Sequence, residues 1–258
     1  MIAEKRAEII IKWIDDYCKK ESFNPKSLVV GISGGIDSSV VSTLCAKTGR
    51  KTIVLTMPIK QIKGQNDLSL LHKKWLSGKF VNVESHTLEL DNVFKNFENT
   101  LSGFKNDHGM ANSRARLRMT TLYAIATSNE GIVVGTGNKV EDFGVGFFTK
   151  YGDGGVDISP IADLYKTEVY ALARALGIIE EIRNAAPTDG LWNDGRTDEE
   201  QMQANYNELE WAMKEFAEPS DSELTQRQSE VLEIFRRLNP QNAHKMKDIP
   251  VYKRQQQG

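Results

Sequence analysis

Ser33-Gly34-Gly35-Ile36-Asp37-Ser38-Ser39 comes directly off the apolar run Leu28-Val29-Val30-Gly31-Ile32, and Val40, Val41, Leu44 and Cys45 then recur at helical spacing. The glycines permit backbone angles that a Cβ forbids and leave successive amides free to converge on oxygen. Those amides open a helix, where unpaired N–H groups and the helix dipole favour negative charge, and the serine hydroxyls offer further donors. This is chemistry for phosphate. Asp37 would repel phosphate unless a divalent cation with oxygen ligands bridged the two, the alternative being that Asp37 only caps the helix. The loop is neither a Walker sequence nor a G-x-G-x-x-G dinucleotide fingerprint.

Other residues with chemical potential lie further along. Thr136-Gly137-Asn138-Lys139-Val140-Glu141 follows the apolar run Gly131-Ile132-Val133-Val134-Gly135, and its Glu141 could join Asp37 around Mg²⁺, which needs few protein ligands when phosphate is present. Arg114, Arg116 and Arg118 cannot share one helix face; Arg114 and Arg118 are neighbours while Arg116 points elsewhere, either as solvated charges or as a fork for phosphate or carboxylate. Gly135, Gly137, Gly144, Gly146, Gly152, Gly154 and Gly155 mark a segment that must either move or fit closely around something. Lys166, Thr188, His244 and Lys245 carry donors, but composition alone singles out none of them.

The elements that must hold these residues alternate. The pattern predicts a helix over about 3–20, with Ile10, Trp13, Ile14 and Tyr17 as a core or partner-facing stripe, a strand at 27–32 and a helix at 36–48. A strand at 51–57, a helix near 66–77, a strand at 79–85, a helical region from about 91 to 128 and a strand at 131–135 follow. Such alternation argues for an α/β fold, a doubly wound, mostly parallel sheet with helices on both faces, and places the residues after 32, 57 and 135 around one crevice. A helix starts at Lys166. The Thr197 to Glu200 capping box opens a helix carrying Met202, Tyr206, Leu209 and Met213, and Ser220 with Glu223 precedes another that Asn239-Pro240 ends. Residues 241–258 read as a polar tail ordered on binding.

The chain has 258 residues, 40% of them apolar, enough for a substantial core, and a net charge of −2 that argues against a general nucleic-acid binder. Cys18 and Cys45 have no metal-ligand spacing and read as buried thiols. No run approaches the roughly 20 apolar residues of a membrane span, and the start lacks a signal-peptide block, so the reading is a reducing, cytoplasmic compartment.

The S-G-G-x-D-S loop resembles the signature of the ATP pyrophosphatases, and the chain as a whole is similar to the ammonia-dependent NAD synthetases within that group. The likeness covers Gly31 to Ser39, Asn112 to Met119, Gly135 to Glu141, Gly146 to Gly155 through Asp157, Pro160 to Lys166 and Ala186-Pro187-Thr188, with Phe147-Phe148-Thr149-Lys150-Tyr151-Gly152-Asp153-Gly154-Gly155 the discriminating stretch. It implies an adenine nucleotide α-hydrolase-like fold and one synthetase domain: an N-terminal helix (1–26), an α/β core (27–190) and a helical C-terminal part (191–258).

For the site, the resemblance implies ATP contacts from Gly31, Ile32, Ser33, Gly34, Gly35, Ile36, Asp37, Ser38, Ser39, Thr136, Lys166 and Thr188, with Asp37 and Glu141 as Mg²⁺ ligands. Arg116, Lys150, Asp157, His244 and Lys245 would contact deamido-NAD, and Asp153 would sit near the nicotinate and the ammonia; Asp37, Lys166 and Asp153 would serve catalysis. The implied reaction adenylates the nicotinate carboxylate, lets ammonia displace AMP and releases pyrophosphate, within a homodimer and behind a lid of residues 142–156. Free ammonia is the expected donor, because only about 26 residues precede the first core strand and an amidase domain would need far more.

Gln203 stands where the family pattern leads one to expect glycine, Glu210 where it has aspartate, and Asn138-Lys139 where some relatives have Asp-His. The rivals are another pyrophosphatase-type enzyme, such as the synthetase half of GMP synthetase or a tRNA-thiolating enzyme, and a non-catalytic adenine-nucleotide sensor. A thiolating enzyme would want a cysteine pair, which Cys18 and Cys45 do not form, and a sensor would have no use for two carboxylates at the phosphates.

Overall fold

The computed structural model describes residues 2–60, 63–104, 106–188 and 197–254. Unbroken runs of Leu, Val and Ile make strands β1 (Ser27–Gly31), β2 (Lys51–Thr56) and β4 (Gly131–Val133), while β3 (Val83–Thr87) is more polar and lies at the edge. The order is β3-β2-β1-β4 and every pairing is parallel, with Val29 opposite both Ile53 and Val133. Parallel pairing needs crossovers and buries both faces of the sheet, which is why β1 and β2 show no polar alternation.

The helices are α1 (Ile2–Lys20), α2 (Ile36–Lys47), α3 (Lys63–Lys79), α4 (Asp91–Thr100), α5 (Asp107–Ser128), α6 (Lys166–Leu176), α7 (Glu180–Arg183), α8 (Asp198–Met202), α9 (Tyr206–Ala217) and α10 (Gln226–Met246). On one face of the sheet Leu28, Val30, Ile132 and Val134 pack with Ile10 and Ile14 of α1, Val40 and Leu44 of α2, and Val169 and Leu172 of α6. On the other, Val29, Ile53, Leu55 and Val133 meet Phe94 of α4 and Ala126 of α5. Each Val, Leu, Ile or Phe side chain taken out of water in this way contributes roughly 1.5–3 kcal/mol. A separate cluster joins Val140 and Val145 to Met202, Tyr206, Leu209, Val231 and Phe235.

Several boundaries differ from the sequence pattern. α3 runs to Lys79 and β3 begins only at Val83, because Phe80 packs into the core beside Leu76 while Val81 stands in solvent. Trp13 is exposed, so the buried stripe of α1 is Ala7, Ile10, Ile14 and Cys18. The helix opened by the Thr197–Glu200 capping box breaks at Gln203, whose φ of 61° is left-handed, and Asn205 caps a new helix, α9. α10 starts at the Thr225–Gln228 capping box rather than at Ser220.

Pro240 does not end α10. A proline removes one helical donor and crowds the carbonyl four residues earlier, yet the helix continues to Met246 and is anchored along its last turns. Asn239 donates to Gly144 O (2.7 Å), Asn242 to Val145 O (2.9 Å), and Lys245 to Gly146 O and Phe148 O (2.9 Å each). Residues 241–246 of the expected tail are therefore helical, and 255–258 lie outside the described residues, as does the expected boundary at 190. The glycine-rich segment is not one open lid either. Lys139–Val145 is a π-helical turn with Val140 and Val145 fully buried, and at Gly146, which has a φ of +66°, a Cβ would meet Asn242 Cβ at 2.4 Å.

Candidate active site

The strand order changes direction between β1 and β4, and the chain segments leaving their carboxyl ends open a crevice, as expected at such a switch point. A cavity of about 620 Å³ lies there, walled by residues 31–38, Met57, Thr136, Gly137, Glu141, Asp153, Lys166 and Thr188. Met119 and Leu122 from α5 supply apolar wall. The three crossover ends expected to meet do meet. A shallower depression at Lys51, Val81, Asn82, Val83 and Glu84 holds none of the phosphate-loop or catalytic candidates.

The loop after β1 is braced from within. Gly34 has a φ of 91°, the left-handed region that favours glycine. Ser33 Oγ accepts from Gly35 N at 3.1 Å, and Ser38 Oγ accepts from Ser33 N and donates to Gly35 O. Ser39 is fully buried, donates to Gly35 O at 2.9 Å and is not part of the cavity wall, so its hydroxyl braces the loop. Gly35, the N-cap of α2, makes no side-chain capping bond, which leaves the first amides of the helix to face the cavity.

Asp37 does not cap α2. Its Oδ2 accepts from Lys166 Nζ at 2.5 Å and its Oδ1 from Asn138 Nδ2 at 3.3 Å, across 129 and 101 residues of sequence. The same ammonium donates to Glu141 Oε1 at 2.8 Å, and Lys166 is only 2% exposed. Burial opposes its charge, but Asp37 and Glu141 outweigh burial and raise its pKa. Burial also pushes Asp37 up, and the neighbouring Glu141 adds to this against the pull of Lys166. Glu141 pays the same burial penalty, yet Lys166, Tyr206 and Asn138 together hold its pKa below the ordinary value. One cation thus serves two carboxylates.

The supports of this triad are residues to which the sequence assigned no site role. Asn138 accepts at Oδ1 from Val140 N and Glu141 N, capping the π-helical turn while its amide reaches Asp37. Tyr206 OH lies 2.6 Å from Glu141 Oε1, and Lys166 Nζ sits 4.7 Å from the centre of the Tyr206 ring. Glu210 binds Thr167 N (2.9 Å) and Thr167 Oγ1 (2.8 Å), closing the start of α6 beside Lys166. Its departure from aspartate therefore has a structural use. Lys139 pairs with Asp163 at 2.7 Å, away from the cavity. Asp142 also lines the cavity, and burial with Asp153, Glu141 and Asp37 nearby raises its pKa well above that of a free carboxylate. Its position next to Glu141 was the only sequence signal for it.

The NAD synthase family model matches residues 6–250. The chain belongs to the NAD synthase family. It is 36% identical over 248 residues to the NH(3)-dependent NAD(+) synthetase of Alkaliphilus oremlandii, covering 94% of both chains. Among solved structures it is similar to the NMN synthetase of Francisella tularensis (TM-score 0.85, 30% identity, 97% and 98% covered). It is also similar to the NH3-dependent NAD synthetase of Campylobacter jejuni (TM-score 0.79, 26% identity, 98% and 100% covered). The family is one of ligases, as the sequence resemblance implied.

Arg116, Lys150, His244 and Lys245 fall in a second cluster, outside the cavity wall. Arg116 Nε donates to Lys150 O at 3.3 Å, and Lys150 Nζ to His244 O at 2.6 Å. Lys245 is turned onto the carbonyls of Gly146 and Phe148, and burial lowers its pKa. Asp153 joins the two clusters: it lines the cavity and accepts from Thr149 N at 2.9 Å. Asp157 stands apart, accepting from Tyr123 OH at 3.0 Å and from Val133 N at 2.7 Å, so in this structure it braces the outer edge of β4, where its own N–H also donates to Val133 O.

Proposed function

We propose that the chain amidates deamido-NAD to NAD with free ammonia at the expense of ATP, through an adenylated nicotinate. The observation that carries this is the meeting of the phosphate loop, Lys166, Asp37 and Glu141 at the mouth of the β1/β4 crevice. A carboxylate is a poor acylating group because its leaving group would be oxide. Attack of a nicotinate oxygen on the α-phosphorus of ATP breaks the bond to the bridging oxygen, and pyrophosphate leaves. Ammonia then adds to the acyl carbon, AMP departs with the C–O bond electrons, and the nitrogen loses a proton. The amides of residues 33–36 and Lys166 would stabilise charge on the phosphates, and the cavity walls would align carboxylate and phosphorus while limiting water.

Asp37 and Glu141 fit a divalent cation, since both already converge on a single positive charge at 2.5 and 2.8 Å, and Mg²⁺ takes one or two carboxylates beside substrate phosphates. Bound there, Mg²⁺ would supply charge neutralisation on the phosphates. Ammonia as donor rests on the naming of the relatives, of whose length the chain covers most.

The chain is read as one domain (1–26, 27–190 and 191–258) acting as a homodimer. The exposed Ile2, Ile9 and Trp13 on one stripe of α1 suit a second copy. Cytoplasmic residence agrees with two buried, unbridged cysteines, and no helix among the described residues is long and apolar enough to cross a membrane.

A second reading, a mononucleotide acceptor amidated to NMN, is favoured by the likeness to the Francisella tularensis NMN synthetase. One assay separates them: purified protein with ATP, Mg²⁺ and ammonium, given either deamido-NAD or nicotinate mononucleotide. The expected result is pyrophosphate and AMP with NAD, at a higher kcat/KM for the dinucleotide. A preference for the mononucleotide selects the second reading, and no product from either, with the protein folded and binding ATP, overturns both.

A further inference from the structure

We propose that Tyr206 is a positioning residue of this site, holding Glu141 toward the cavity independently of Lys166 so that the carboxylate can meet a cation brought with the nucleotide. This rests on the reading of the triad as the nucleotide–metal site. Lys166 Nζ fills the position between Asp37 and Glu141, so a divalent cation can be held by both carboxylates only when the ammonium moves out. Once it does, Glu141 loses its strongest donor. Two buried carboxylates left without a cation repel each other, and Glu141 would swing away unless another donor kept it.

Tyr206 is that donor. It is 6% exposed, lies in the core cluster with Val140, Val145 and Leu209, and opens α9 behind the Asn205–Glu208 capping box. Its hydroxyl has one proton and two carboxylate oxygens within reach, Glu141 Oε1 at 2.6 Å and Asp198 Oδ2 at 3.1 Å, and the shorter contact takes the proton. A phenol keeps its proton at neutral pH, and a carboxylate oxygen can only accept, so the hydroxyl is the donor of this pair. The ring does a second job at the Lys166 ammonium, 4.7 Å away over its face, where a cation is attracted whether or not the hydroxyl is present.

Tyr206→Phe tests this, since it keeps the ring and the core packing and removes only the donor. Mn²⁺ affinity in the presence of ATP, read by EPR without any acceptor substrate, should fall about tenfold, while ATP affinity without divalent cation stays within twofold. kcat should fall 10- to 100-fold with the KM of the acceptor unchanged, and raising the metal concentration should recover part of it. Wild-type Mn²⁺ affinity in Tyr206→Phe overturns the proposal. So does a loss of folding, or a parallel loss of metal-free ATP binding, because either would make the hydroxyl a general structural element. The Mn²⁺ measurement needs no acceptor, so it is independent of whether deamido-NAD is the substrate.

Discussion

Lys166 Nζ and Asp37 Oδ2 lie 2.5 Å apart, joining the start of α6 to the first turn of α2 across the crevice in which the chemistry is placed. With Glu141 added the group carries two carboxylates to one ammonium in a buried setting, which is tolerable only while a cation stays between them.

Replacing Lys166 by Met should therefore cost about 3–5 kcal/mol at pH 8, the range for removing one partner of a buried ion pair. Without the ammonium, burial and mutual repulsion would push both carboxyls above their ordinary values, near 3.8 and 4.5. A raised carboxylate makes the folded state the better proton binder, so stability falls as pH rises through that window and returns as pH drops. Urea midpoints at pH 8 and pH 5 check it: the deficit of the variant should shrink at pH 5. An equal deficit at both values would mean that the lost packing of the lysine stem, and not charge, carries the effect.

Much of the core and the phosphate loop could be read in the sequence because their signals are local. The apolar runs at 28–32 and 131–135 have strand chemistry of their own, and the glycines of residues 33–35 declare a turn wherever they fall. Asp37 and Glu141 were legible as a pair only because both follow such strands. Tyr206 and Glu210 were not legible in this sense, since each touches residues more than 40 positions away and on its own helix reads as ordinary amphipathic pattern. Pro240 misled for the complementary reason: its local penalty is real, but the anchoring of Asn242 and Lys245 on carbonyls nearly 100 residues earlier outweighs it.

Lys150→Ala should raise the KM of the acceptor several-fold more than that of ATP. Lys150 stands in the Arg116–His244 cluster beyond the cavity wall, tied by its Nζ to His244 O at 2.6 Å, so its loss disturbs that cluster and leaves the loop at residues 33–38 intact. Steady-state kinetics with each substrate varied in turn measures the split. A larger rise for ATP would reassign the cluster to the nucleotide side.

Gln203 marks a place where a residue change should stabilise the chain. It ends α8 with a φ of 61°, a conformation that costs an L side chain roughly 1–2 kcal/mol, while its carbonyl accepts from Arg227 at 3.2 Å. Glycine relieves that strain and gives back part of the gain as unfolded-state entropy. Gln203→Gly should stabilise by about 0.5–1 kcal/mol and leave kcat unchanged, whereas Gln203→Val should destabilise. Chemical denaturation of the three proteins checks the order; a destabilised glycine variant would show that the Gln203 side chain contributes more than its backbone costs.

His72 gives the chain an acid limit of its own. It is fully buried on α3, stacks on Trp75 and shares a 2.9 Å hydrogen bond with Ser42 Oγ, and burial lowers its pKa from 6.5 to about 4. A base with a depressed folded-state pKa leaves the unfolded chain as the better proton binder between those values. Stability is thus complete above pH 6.5 and is lost as pH falls toward 4, by roughly 3 kcal/mol in all. His72→Gln can keep the bond to Ser42 but does not titrate, so its denaturation midpoint should vary less than the wild-type midpoint between pH 7 and pH 4.5. Parallel pH profiles for the two proteins would place the acid sensitivity on the buried carboxylates of the crevice instead.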